Sequence, residues 1–586
     1  MARPSRRPHP PVNRKARRRQ AAAAAKAAGP ARASAAPAAS APAAGGRLLR
    51  RVARFGRRRP LLAALLLLAL YALFALLGFQ PQPHDGGDNA GYLTLARSLL
   101  ERHAYLDLYD PAEPPHTKYP PVFPLLIAGL LALGIDSWVG IKLLVTALGG
   151  VAVTATFLWL RRRGRPGLGL AAGTLLAISP GVLREVHWEL SDVPFWAFAA
   201  LAVWAFERLR PHDWARFALA LAATLLAYFA RSAGLPLVLA AAGWLVWRRH
   251  WQQLLVFGVV LVPLALAWWW RARTTGGVEY AAEFWLLDPY QPHLGRAGAG
   301  DLLQRVLDNL QAYATVHAPL LAFGRATPPA VLGAVGILAL ALYGWARRVR
   351  RRPRVAELFL PLYLGLILVW PAVWSGERFL LPVLGLLLGY AADGFVRGTR
   401  ALAPRAAPAL ALGGLALVLV MNTPALAEHV RAGQACTAAY RAGNRYPCTI
   451  PPAQEFFLMA EWAGSALPPG SVVLSRKPRL FHVLSGGLKS RNYPMDPSVE
   501  ALLASADSAG ARYIVFDRLG GLAQRYLAPA LLERPGAFCL LQSTGPEGTL
   551  LFGIRADAAH AGATARSGPD VGFEPCTAEL MGMPAR

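Results

Sequence analysis

A tail with seventeen lysines and arginines and no acidic residue in its first 59 positions runs directly into Leu61 to Phe79, nineteen residues without a charge. At about 1.5 Å of helical rise per residue, such a run is long enough to cross the hydrocarbon layer. Basic segments beside a span stay in the cytoplasm, so the tail is expected inside and the chain beyond residue 80 outside. Ten further apolar segments follow, at roughly 137–160, 167–183, 192–207, 214–230, 233–247, 253–270, 329–346, 355–373, 379–396 and 406–424. The run from Trp214 to Trp247 counts as two, because 34 residues of helix would be about 51 Å long against a bilayer core of about 30 Å. Arg231-Ser232-Ala233-Gly234 supplies the break, a charge and a glycine. The fold class this predicts is a polytopic α-helical membrane protein of eleven spans with external juxtamembrane helices and a small C-terminal extracytoplasmic α/β domain.

Charge checks the topology. With eleven spans the clusters Arg161 to Arg165, Arg208 to Arg216, Arg248-Arg249, Arg347 to Arg354 and Arg397 to Arg405 all fall on the cytoplasmic side. That holds if Val122 to Gly134, short and proline-containing, is a helix at the outer face and not a span. The N-terminus is then cytoplasmic, in a bacterial inner membrane as the arginine-, alanine- and proline-rich composition implies.

The net charge of +29 would ordinarily point to nucleic acid. Here seventeen positive charges sit in the tail and most others punctuate apolar segments, so no nucleic acid is expected and anionic membrane lipids are the partner. Three regions emerge: a disordered basic tail over 1–59, a membrane domain over 60–424 with external loops at 80–136 and 271–328, and an external domain over 425–586. In the last, Ser471 to Leu474 and Tyr513 to Asp517 read as strands separated by helical stretches. The four cysteines, Cys436, Cys448, Cys539 and Cys576, all lie there, where disulfides are permitted. Cys436 and Cys448 close the shortest loop, although three connectivities remain open.

The residues that could carry chemistry gather at the outer surface. The first external loop holds Asp85, Asp88, Tyr92, Lys118 and Tyr119; the second presents Glu185, His187, Glu189 and Asp192 at the mouth of an inward-going span. Two readings stand for the aspartates. Asp85, Asp88 and Asp192 can cap helix starts, or paired carboxylates from two loops can bind a divalent cation or deprotonate a hydroxyl. Arg231 and Arg378 lie at external turns, where they anchor at the interface or clamp a lipid phosphate. The 271–325 loop carries Tyr280, Phe284, Trp285, Tyr290, His293 and His317, an interface belt or a sugar platform. No nucleotide-binding fingerprint accompanies them, so an enzyme of this layout would receive its activated donor in the membrane.

Asp88-Asn89-Ala90-Gly91-Tyr92, with Lys118-Tyr119-Pro120-Pro121-Val122-Phe123-Pro124, resembles the first external loop of GT-C glycosyltransferases, in the branch of protein O-mannosyltransferases and lipid A aminoarabinose transferases. Leu190-Ser191-Asp192-Val193-Pro194 resembles their second acidic loop, Arg231-Ser232-Ala233-Gly234 their basic turn, and Glu377-Arg378-Phe379 their late Arg-aromatic motif. The resemblance spans residues 60 to 425. It implies inverting transfer of a sugar from a polyprenyl-phosphate donor to a glycan, lipid or protein acceptor, with Asp88 and Asp192 as the catalytic carboxylates. Arg231, Arg378 and Lys118 would hold the donor phosphate, supported by Asp85, Tyr92, Tyr119, Glu185 and His187. Asn89 departs from the acidic pair common in the family, and a metal role for Asp88 and Asp192 is left open. A lipid or sugar transporter and a non-catalytic envelope assembly factor are the competing classes; the first is opposed by the absence of repeated halves.

Overall fold

The structure, a computed structural model, describes residues 44–275, 280–545, 548–558 and 572–577. The chain divides into two units, Met1–Leu48 and Leu49–Arg586, and the second carries the membrane helices and the C-terminal sheet. Six helices are long and apolar enough to cross a membrane: Pro60–Leu77, Trp138–Arg162, Trp251–Thr274, Pro328–Val349, Glu377–Leu402 and Ala407–Arg441. The protein is a multi-pass membrane protein. Six shorter apolar helices join them, at Val122–Ala132, Pro166–Ile178, Asp192–Phe206, Trp214–Ala230, Ser232–Trp247 and Val355–Val369.

All eleven expected spans are thus helical; six are long and apolar enough to cross a membrane and five are shorter, so the count of eleven is not confirmed. The causes are local. Ser179-Pro180 splits the expected 167–183 segment into Pro166–Ile178 and Pro180–Glu185, and Pro371 follows the end of Val355–Val369. The break expected inside Trp214 to Trp247 falls at Arg231, which is extended between two helices.

Leu61, Leu255, Val259, Trp270, Leu332 and Val420 are exposed on the helix exteriors, the apolar surface a bilayer covers. Inside, Pro328–Val349 and Leu381–Leu402 approach backbone to backbone. A Cβ on Gly344 would collide with the Tyr390 carbonyl, and one on Gly394 with the Leu340 carbonyl. Several buried charges among the membrane helices are paired, as a low-dielectric interior requires. Arg163 donates to Glu207 (2.9 Å) and Glu357 (2.6 Å), and Lys142 meets Glu189 at 3.2 Å.

The domain boundary expected at 424 lies within one continuous helix of 35 residues, Ala407–Arg441. This helix passes so close to the outer end of Pro60–Leu77 that a Cβ on Gly433 would strike the Gly78 backbone, and Thr437 donates to the Phe79 carbonyl (3.1 Å). Beyond it lies a five-stranded sheet of β1 (Val472–Leu474), β2 (Lys489–Arg491), β3 (Tyr513–Phe516), β4 (Phe538–Ser543) and β5 (Leu550–Ile554), ordered β2-β1-β3-β5-β4. β2, β1 and β3 run parallel, and β5 pairs antiparallel with β3 and β4. Disulfides join Cys436 to Cys448 and Cys539 to Cys576.

The sheet is held on the 80–136 loop by its β2 edge. The Ser490 N–H donates to the Tyr109 carbonyl (2.7 Å), Lys489 pairs with Glu113 (2.6 Å), and Arg491 grips Asp110 with two hydrogen bonds of 3.0 and 2.8 Å. A further contact, from the Tyr526 hydroxyl to the Tyr290 carbonyl (2.8 Å), reaches the 271–328 loop. The domain therefore closes over the space between the two loops.

Candidate active site

Within the 80–136 loop the stretch before the first helix ends at Gly87, whose φ of 88° is the left-handed conformation that glycine adopts without a Cβ penalty. The helix Asp88–Glu101 starts immediately after, and no side chain caps it. The capping reading of Asp85 and Asp88 therefore fails. Asp88 instead turns its carboxylate toward Tyr119, which donates a hydrogen bond of 2.7 Å, and toward Arg479 of the C-terminal domain at 3.7 Å. Arg479 also donates to the Tyr119 hydroxyl.

Tyr119 is fixed from behind. Its N–H donates to His116 Nε2 (2.8 Å), so that nitrogen is the acceptor and Nδ1 carries the proton facing Asp107 (2.9 Å). Burial lowers the His116 pKa despite Asp107, keeping the ring neutral. The Tyr92 ring lies 4.6 Å from that of Tyr119, and its hydroxyl shares a 2.8 Å hydrogen bond with Ser191. The two acidic loops thus meet through Tyr92 and Ser191.

Asp88, Tyr92 and Tyr119 open into a cavity of about 560 Å³. Six cations line it, Lys118, Arg231, Arg378, Arg476, Lys477 and Arg479, against the carboxylates of Asp88 and Glu283. Aromatic walls come from Trp188, Tyr290, Trp370 and Trp374. Asp88 keeps 40% of its side-chain surface open to this recess while protein surrounds it. Burial works to raise its pKa, but Arg378, Arg479 and the Tyr119 hydrogen bond outweigh it and hold the carboxyl below its usual range.

The cations differ in how they are balanced. Lys118 is neutralised by Glu283 at 2.5 Å, and Arg231 by Asp192 at 2.9 Å. Arg378 lies 5.1 Å from the Phe379 ring that Arg231 also faces at 4.9 Å, and it makes no ion pair among the described residues. Of the three cavity cations contributed from before the C-terminal domain, it is the one without an ion pair among the described residues.

Several expected site residues lie elsewhere. Asp192 is buried behind the wall and does not line the cavity, because its carboxylate is spent on Arg231. Asp85 sits outside, 3.1 Å from His84 Nδ1. Glu185 is buried, and burial pushes its pKa up to about 8; the nearest cation, Arg184, is 3.7 Å away, too far for a hydrogen bond. His187 hydrogen-bonds the Ala75 carbonyl (2.8 Å) and stacks on His429, and burial pushes its pKa down to about 3. Both support the fold. Of the aromatics in the 271–325 loop Tyr290 reaches the cavity, Trp285 is exposed, and the Tyr280 side chain lies outside the described residues.

A divalent cation does not fit Asp88 and Asp192. Each carboxylate already faces a guanidinium, and among the described residues no group of three His, Cys, Asp or Glu side chains converges on a point. Sequence reasoning missed Arg476, Lys477 and Arg479. Their signal was three cations in four residues, directly after an expected strand.

No protein-family model matches the sequence, and no curated protein matches it. The structure is similar to the oligosaccharyltransferase of Archaeoglobus fulgidus tethered to an acceptor peptide containing the NVT sequon, with a TM-score of 0.51 at 14% identity over 86% of this chain and 74% of that one. It also aligns with ArnT from Cupriavidus metallidurans bound to undecaprenyl phosphate (TM-score 0.49, 14% identity, 84% and 98% covered). A further alignment is with the arabinofuranosyltransferase AftD from Mycobacteria (TM-score 0.41, 16% identity, 85% and 40% covered). The chain has the fold of the Archaeoglobus fulgidus oligosaccharyltransferase, the GT-C fold. At such identities the likeness concerns the fold alone.

Proposed function

We propose that this protein is a membrane glycosyltransferase that moves a sugar from a polyprenyl-phosphate donor to a hydroxyl of an envelope glycan, lipid or protein on the extracytoplasmic face. The observation that carries this reading is a single recess in which the ionised Asp88 and the ion-pair-free guanidinium of Arg378 face the same space.

The chemistry follows from the charges. Asp88 accepts the proton of the acceptor hydroxyl as its oxygen forms a bond to the anomeric carbon. The bond from that carbon to the donor phosphate breaks on the opposite face, and its electron pair leaves with the phosphate, which becomes a dianion. Arg378, backed by Arg231 on the same aromatic ring, stabilises that charge in a partly dry cavity where preorganised cations are worth most. A low carboxyl pKa makes Asp88 a weak base, so proton transfer comes late, after negative charge has left on the phosphate. The configuration at the sugar is inverted. Asp192 acts one step removed, orienting Arg231, and Lys118 positions the loop through Glu283.

The test is transfer of labelled sugar from a panel of polyprenyl-phosphate sugars by membranes holding wild type or Asp88→Asn. Label should enter a lipid, glycan or protein fraction with wild type and fall by roughly 10²- to 10⁴-fold with the variant. Unchanged transfer by a correctly inserted Asp88→Asn protein would remove this carboxylate from the mechanism.

A further inference from the structure

The C-terminal domain presents the carboxyl ends of two of its three parallel strands to the cavity. Arg476 and Lys477 follow β1, Asn492 and Tyr493 follow β2, and Asp517 follows β3; the first four line the recess. β1 lies between β2 and β3. The chain leaves β1 toward β2 on one side and leaves β3 toward β4 and β5 on the other, so a topological switch point falls between β1 and β3. In open α/β sheets this is where a crevice forms and ligands bind.

The domain's cations divide by their partners. On the docking edge, Lys489 and Arg491 are neutralised by Glu113 and Asp110. At the strand ends, Arg476 and Lys477 make no ion pair among the described residues: Arg476 lies over the Tyr290 ring at 5.2 Å, and Lys477 donates to the Gly86 carbonyl at 2.7 Å. Polar groups beside them are also unsatisfied. The Tyr493 hydroxyl is buried without a hydrogen-bond partner, and so is Asp517 Oδ2, whose other oxygen accepts from the Leu519 N–H at 3.0 Å. Burial raises the Asp517 pKa. A buried polar atom without a partner costs about 1–3 kcal/mol; the Tyr493 hydroxyl can donate to a bound anion, and the two cations beside it, without ion pairs among the described residues, attract one.

We propose that these strand ends form a second anion subsite, distinct from the donor-phosphate position at Arg378, which holds an acidic group of the acceptor, phosphate or carboxylate, while an acceptor hydroxyl reaches Asp88. The word acceptor rests on the glycosyltransferase reading; the subsite itself does not. Arg479, 3.7 Å from Asp88, links the two positions. The acceptor class is therefore an acidic glycan or glycolipid.

The experiment uses the full chain in nanodiscs, with undecaprenyl phosphate as the donor-site probe and glucose 6-phosphate, glucuronate and neutral glucose as acceptor-site probes. With undecaprenyl phosphate saturating, wild type should bind one of the two acidic sugars at least tenfold more tightly than glucose, and which one binds identifies the anion. Arg476→Gln should weaken that binding tenfold or more and leave undecaprenyl phosphate unchanged, whereas Arg378→Gln should do the reverse. Tyr493→Phe, which removes one oxygen and keeps the ring, should weaken the acidic sugar severalfold and guards against misfolding of the charge variant. Equal binding of all three sugars overturns the subsite. So does loss of undecaprenyl phosphate binding in Arg476→Gln, which would assign these cations to a second donor phosphate. If wild type fails to bind undecaprenyl phosphate at all, the donor reading fails, while the acidic-sugar titration still decides the subsite.

Discussion

Tyr119→Phe removes one oxygen from the centre of the site and nothing else. That hydroxyl donates to Asp88 at 2.7 Å and accepts from Arg479, while the ring is held by Tyr92 at 4.6 Å and the backbone by His116. A hydrogen bond to a charged group is worth about 1.5–3 kcal/mol, so its loss from the reacting carboxylate is expected to lower kcat/KM by roughly 10- to 150-fold. Compensation sets the lower end. Arg479 loses its acceptor and already stands 3.7 Å from Asp88, close enough to pair with it directly. The pH profile gives the sharper signature. Tyr119 helps to hold the Asp88 pKa down, and in the proposed mechanism the ionised form is the active one, so the acid limb of the wild-type profile should lie below the usual carboxylate range and move to higher pH in the variant. Sugar transfer is measured across the acid range in nanodiscs with the donor found for wild type. A slower variant with an unmoved acid limb would refute the claim that Tyr119 acts through the Asp88 carboxylate.

The remaining expectations concern the scaffold. Glu185, with its pKa raised to about 8, keeps its proton in the folded state while the unfolded chain loses it near the ordinary value of about 4.3. Wild-type stability should therefore fall by about 1.4 kcal/mol per pH unit between those values. Glu185→Gln cannot titrate, so its melting temperature in detergent should gain on wild type as pH rises through that window; a constant difference would contradict the assignment. Gly433→Val should destabilise by about 1–3 kcal/mol through overpacking against Gly78, whereas Gly413→Ala, with open space around it, should be tolerated in the same melting assay. Breaking Cys539–Cys576, separated by 37 residues, should cost the domain about 4 kcal/mol, against about 3 for Cys436–Cys448 at 12 residues; protease resistance of the serine variants measures the difference.

The membrane architecture was legible because lipid imposes a long, monotonous signal: each charge-free run became a helix, and the break at Arg231 fell where the arithmetic of bilayer thickness demanded. Lengths were harder, since a single Ser179-Pro180 or Pro371 ends a helix without changing the hydropathy around it. The motifs around Asp88 and Lys118-Tyr119-Pro120-Pro121 drew notice to residues that do line the cavity. That Asp192 does not line it was not legible, because sequence cannot say that Arg231 turns back to neutralise it. The strands β2, β4 and β5 carry little alternation, and Lys489-Ser490-Arg491 reads as a polar loop until the 80–136 loop is seen to cover its edge. Arg476, Lys477 and Arg479 come from nearly 400 positions beyond Asp88, and only the fold brings them to it.

That long-range supply of cations has a chemical consequence. A base that must take a proton gains from a high pKa, yet Asp88 is surrounded by guanidinium groups that lower it. The arrangement makes sense if the difficult charge is the one that appears on the leaving phosphate, so that the site is built for anions first and for basicity second. Two phosphates, or a phosphate and a carboxylate, cannot share a recess without mutual repulsion unless fixed cations lie between and around them. On the proposed reading Arg378 serves the donor, Arg476 and Lys477 serve the acceptor, and Arg479 stands between them beside the base. The membrane domain alone would then hold a donor it could not use, because half of the charge that allows an acidic acceptor to approach is carried by the external domain. Tethering that domain through a continuous 35-residue helix, with Gly433 packed onto Gly78, fixes where those charges stand relative to Asp88.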